Sequence, residues 1–176
     1  MNTEQLRQQA REKHLEGDTK AAIMLLTQAI SENPKDVSVA LDMVQIFLDI
    51  SEVNQAQELF NKLPESAQKS DMGLSITSQL NFIRLAQNTA GIGALKIQVA
   101  KSPDDNQARF DLALCLFAEH DIEQGMEMLF FIQQHSPDFK DGAAREMIGM
   151  ICNMLANSNP EQSSAYRQRL ANSISS

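Results

Sequence analysis

Met147, Met150 and Met154 fall at i, i+3 and i+7, with Ile148, Ile151 and Leu155 beside them, so in a helix their side chains form one stripe. The thioether is flexible and polarizable, and a stripe of it either fills an irregular core or fits apolar partners of varied shape. Core packing is the plainer reading and contact with apolar partners the functional one; a helix at the end of an array can serve both. A second surface is carried by Tyr166, Leu170 and Ile174 at i, i+4 and i+8, edged by Arg167 and Arg169. Such a terminal helix seals an apolar face and can also dock on another protein.

Bond-making chemistry has no comparable constellation. His14, His120 and His135 stand apart, with no Cys or carboxylate at ligand spacing. Cys115 and Cys152 lie 37 residues apart among apolar neighbours, in neither a CxxC nor a paired-ligand pattern, and read as buried thiols. Gly91-Ile92-Gly93 follows a helical stretch and lacks both a third glycine and a GK[ST], so it reads as a turn and not as a phosphate cradle. Asp104-Asp105, and Asp138 with Asp141, sit at expected helix starts, where carboxylates satisfy free N–H groups. The expectation is a non-enzymatic chain with no catalytic residue, metal or cofactor.

The elements that position these surfaces are helices throughout. Periodicity and stop signals predict pairs at 3–16 with 19–32, 36–50 with 53–62, 70–87 with 90–101, 105–118 with 122–134, and 139–156 with 160–174. Pro34, Pro64, Pro103, Pro137 and Pro160 all punctuate, and Asn159 is placed to cap a helix that Pro160 begins. A 34-residue period underlies the pairs: Gly17, Ala22 and Leu26 recur as Ser51, Ala56 and Phe60, and Gly91, Leu95 and Pro103 recur as Gly125, Leu129 and Pro137. Ala22, Leu26, Ala29 and Pro34 match the tetratricopeptide pattern, in which small residues let paired helices approach and proline ends the second one. The expected fold is therefore all-α, a tetratricopeptide-like helical-hairpin superhelix of about four to five pairs, without strands, forming a single domain over 1–176. The third unit departs from the pattern, with Gly91 and Gln98 where the first has Ala22 and Ala29. Arrays of this type that bind acidic chain termini use a two-carboxylate clamp; Arg7 and Arg11 could begin one, but Asp42 on the next unit would repel the ligand.

Fifteen Lys and Arg stand against twenty-three Asp and Glu, a net charge of −8 divided evenly between the two halves. Phosphate backbones and anionic lipid surfaces demand a basic face, so neither nucleic acid nor a membrane is an expected partner. No apolar run reaches the length of a membrane span, the start lacks the pattern of a secretory signal, and a cytoplasmic location is expected.

At the C-terminal third, Asp138-Phe139-Lys140-Asp141-Gly142-Ala143-Ala144-Arg145-Glu146-Met147, then Pro160 and Tyr166-Arg167-Gln168-Arg169-Leu170-Ala171, resemble the closing helices of the co-chaperedoxins, the thioredoxin-like CnoX/YbbN proteins. The opening Ala10-Arg11-Glu12, His14-Leu15-Glu16-Gly17-Asp18 and Ala21-Ala22 is similar to the start of that family's repeat domain. The resemblance implies that the chain is the C-terminal region of a longer protein whose thioredoxin-like domain is absent here. It also implies a stress-linked holdase that keeps unfolded client proteins soluble and passes them to the chaperonin. By the same resemblance Tyr166, Arg167, Arg169 and Leu170 become docking candidates, while Met147, Met150 and Met154 are the candidate client contacts. Two departures bear on docking: Asn159 replaces an Asp, and residues 172–176 replace a more apolar end. The alternative is a scaffold for one folded partner, without general chaperone activity.

Overall fold

Most helices in this chain start where a short polar side chain can reach their free N–H groups, as at Asn2, Asp18, Asp36, Asp105, Asp121 and Asn159. The computed structural model describes residues 1–175, with every side chain but that of Asn157; Ser176 lies outside the described residues. These residues form eleven α-helices and no strand, in two compact units. The first, Met1–Thr77, runs α1 (Thr3–Leu15), α2 (Thr19–Glu32), α3 (Val37–Asp49), α4 (Val53–Asn61), the single turn α5 (Glu65–Gln68) and the beginning of α6 (Asp71–Gln87). The second, from Ser78 onward, takes the rest of α6 and then α7 (Ile92–Lys101), α8 (Asn106–Ala118), α9 (Ile122–His135), a 3-10 turn (Phe139–Asp141), α10 (Ala143–Ser158) and α11 (Pro160–Ser175). The Asn2 and Gln5 side chains each accept from the other's backbone N–H, a reciprocal cap that starts α1. Asp18, Asp105 and Asp121 accept from Ala21, Ala108 and Gln124 at the starts of α2, α8 and α9, and Asn159 does the same for α11.

Neighbouring helices pair as hairpins: α1 with α2, α3 with α4, α8 with α9 and α10 with α11. The first two and the α8–α9 hairpin turn through the same closure. Asp18, Glu52 and Asp121 each donate back five residues, to Lys13, Phe47 and Leu116, across a left-handed residue at Gly17, Ser51 and His120. In the first unit Ala10, Ala22 and Ala29 meet Leu6, Leu26 and Val39 in one fully buried cluster, the expected small-against-large packing. Helix α3 packs against α1, α2, α4 and α5 at once, so Leu41, Met43, Val44, Ile46 and Leu48 are all buried around its circumference. In the second unit Gly125 leaves room for the Phe117 ring, which a Cβ there would strike. Cys115 and Cys152 are both buried and free.

Two local expectations are corrected. The 34-residue register places the end of α7 correctly, Lys101 against His135, but α7 has ten residues where α9 has fourteen. Its first turn is unwound and the helix starts at Ile92 and not at 90, with Gly91 a left-handed cap outside it (φ 91°), in keeping with the turn read at Gly91-Ile92-Gly93. The last long hairpin starts at Ala143 and not at 139, because Lys140, Asp141 and Gly142 are all left-handed and no helix passes through them. Asp138 accordingly makes no cap hydrogen bond.

Candidate functional site

In the first unit α1 and α3 lie side by side, and residues 35 apart meet across them. Arg7 Nε donates to Asp42 Oδ2 at 2.6 Å, and Arg11 Nη2 reaches the same oxygen at 3.3 Å. His14 Nε2 lies 3.0 Å from Asp49 Oδ2, with its Nδ1 2.9 Å from Thr19 Oγ1. Burial alone would lower the affinity of Arg7 for its proton; the hydrogen bond and charge of Asp42 outweigh it and hold the guanidinium above its ordinary range. The Asp42 side chain is only 4% exposed, so the arginines considered for a ligand clamp are engaged with a buried carboxylate of the chain itself.

Beside this ladder lies a cavity of about 260 Å³. Ala10, Leu26, Ile46 and Met72 supply apolar lining, and Arg11, His14 and Asp49 supply polar lining. Leu15, also on its wall, is 87% exposed. The cavity is absent from the expectations above, because its walls come from four helices that no local pattern brings together. The available signal was the pairing of opposite charges one repeat plus one residue apart.

In the second unit the methionine stripe divides. Met147 and Met154 are half-buried against the cluster that holds Ile148, Ile151, Cys152 and Leu155, whereas Met150 is 55% exposed. Tyr166 and Leu170 pack on that same cluster, the Tyr166 ring 6.1 Å from Phe130, and burial pushes the Tyr166 phenol above its ordinary range. Arg169 grips Glu127 with two hydrogen bonds of 2.5 and 3.0 Å, and its guanidinium lies 4.1 Å above the Phe130 ring. Ser163, buried, donates to the Cys152 carbonyl at 2.7 Å. Tyr166, Arg169 and Leu170 therefore fasten α11 to α9 and α10, and Arg167, exposed like Arg169, adds a hydrogen bond of 2.6 Å to Asn153 on α10.

Arg109 is a buried cation that no spacing rule singles out. Its guanidinium stacks 3.6 Å over Phe131 and donates to the Pro103 carbonyl at 2.9 Å, bracing the turn before α8. Among the described residues no group of three or more His, Cys, Asp or Glu could hold a metal ion, and no helix is long and apolar enough to cross a membrane.

Two family profiles, both described as Tetratricopeptide repeat, match the chain, one over residues 85–174 and one over 14–80. No curated protein matches it. Among solved structures it is similar to a domain of protein VP0806, of unknown function, from Vibrio parahaemolyticus, at 23% identity and a TM-score of 0.43, covering 96% of this chain and 98% of that one. It is also similar to the MamA RS-1 ArsTM double mutant at 14% identity and a TM-score of 0.43, covering 98% of this chain and 94% of that one.

Proposed function

Because the chain belongs to the tetratricopeptide repeat family, whose helical hairpins bind protein partners, we propose that it is the non-enzymatic interaction region of a cytoplasmic thioredoxin-like chaperone. In this reading it is the C-terminal part of that chaperone, holds unfolded client proteins and passes them to the chaperonin. The observation that carries the holding role is Met150, which stands in solvent between half-buried Met147 and Met154 on one helix face. A flexible thioether backed by others of its kind adapts to apolar segments that share no sequence.

Suppression of aggregation of several unrelated heat-denatured proteins, followed by light scattering, tests the holding role. Met150→Gln is expected to weaken suppression of all of them with the melting temperature nearly unchanged, since the side chain gives up little packing. A chain that suppresses none of the clients ends the holdase reading. Chaperonin docking is tested by Arg167→Glu, because deleting α11 would uncover the cluster beneath Tyr166 and Leu170. Binding to purified chaperonin is expected to fall in this variant, and full retention removes Arg167 from the docking surface.

A dedicated scaffold for one folded partner is favoured by a different observation, the cavity between α1 and α3 with its fixed charges. A defined seat selects one shape where a methionine face accepts many. The same client panel separates the two, because a scaffold ignores most of its members.

A further inference from the structure

We propose that the first-unit cavity seats one large aliphatic side chain from a partner segment whose neighbouring residues are lysine or arginine, and that it turns acidic segments away. This rests on the protein-binding reading above and names the chemistry of what is bound. At about 260 Å³ the cavity falls below the roughly 300–1,000 Å³ of small-molecule sites and suits a single side chain. Ala10, Leu26, Ile46 and Met72 give that side chain an apolar bed. Leu15, 87% exposed on the same wall, is apolar surface that a seated segment would cover.

Charge decides what flanks the anchor. Both nearby arginines face Asp42 Oδ2: an incoming carboxylate would gain Arg7 only by stranding a carboxylate that is 4% exposed, and at Arg11 it would meet a cation already set against the charge of Asp42. Asp49, whose two oxygens face His14 Nε2 at 3.0 Å and Gln45 Nε2 at 2.8 Å, still keeps 31% of its side chain in solvent and its negative charge at the mouth. The surrounding unit carries seven Lys and Arg against twelve Asp and Glu, so the field at the cavity mouth favours a cation.

The test uses the full chain, methyl-labelled for NMR, and four short unstructured peptides. Three carry one leucine between lysines, between glutamines or between glutamates; the fourth replaces the leucine of the lysine peptide with alanine. The lysine peptide is expected to shift the Met72 and Ile46 methyls and to bind at least about tenfold more tightly than the glutamate peptide, a gap that narrows as salt rises. The alanine peptide is expected to leave those methyls in place. Asp49→Lys should erase or invert the preference, and Leu15→Ser should weaken all leucine peptides; circular dichroism and melting verify that both variants are folded. Equal binding of the lysine, glutamine and glutamate peptides overturns the proposal while leaving the interaction-module reading intact. Met72 and Ile46 methyls that no peptide moves also overturn it, and the client assay then judges the module reading separately.

Discussion

Asp42 is the residue on which the first unit's electrostatics turn. Its carboxylate is nearly out of water and its two arginines are not equivalent: Arg7 is 15% exposed and Arg11 51%. Removing a buried partner leaves an uncompensated charge, whereas an exposed one is replaced by solvent. Arg7→Met should therefore cost about 2–3 kcal/mol and Arg11→Met less than about 1 kcal/mol, measured by urea denaturation. Equal losses would refute the asymmetry. In the second unit the Arg169 hydrogen bond, opposed by burial, holds the Glu127 carboxyl below its usual range. A carboxylate depressed in the folded state stabilises fully above its unfolded value of about 4.3 and loses that contribution as pH falls through the folded value. Glu127→Gln should thus lower the melting temperature slightly near neutrality and converge with the parent in acid. The side chain is 51% exposed, which keeps the effect under about 1 kcal/mol.

The hairpin turns carry the clearest prediction at the scale of the element. Gly17, Ser51 and His120 share one left-handed closure, yet only the first is glycine. Ser51→Gly should stabilise the protein by about 0.5–1 kcal/mol, and Gly17→Ala should destabilise it by about 1 kcal/mol, because nothing crowds the Gly17 position and only backbone strain is at stake. Chemical denaturation of the two variants reads both signs. Gly125→Ala is a different case: the new methyl meets the Phe117 ring, itself 5.3 Å from the Phe82 ring, and about 1–3 kcal/mol should be lost. Helix ends were legible in the sequence because caps and prolines act within a few residues, as at Asp18, Asp121 and Pro160. The start of α10 was not, since Phe139 and Asp141 fit a helical pattern that the backbone of Lys140 to Gly142 overrides. The methionine stripe was legible as a face but not in its division, which depends on how far α9 and α11 cover α10.

For the molecule as a whole the governing quantity is a net charge of −8. Self-repulsion of that excess opposes compaction, so the melting temperature should rise as salt is raised from about 0.02 to 0.2 M. The same field should leave the chain unable to retard duplex DNA at any of these salt concentrations. Periodicity and the 34-residue repeat made the all-α class legible and composition the acidity; the first-unit cavity was not, because it exists only once Arg11, Leu26, Asp49 and Met72 have been brought together from separate helices. One further consequence comes from Tyr166. The chain has no tryptophan and a single tyrosine, and that tyrosine lies on the inner face of α11 against Phe130. Its ultraviolet emission is therefore a native optical reporter of how the last helix is seated, readable in every variant above without attaching a dye.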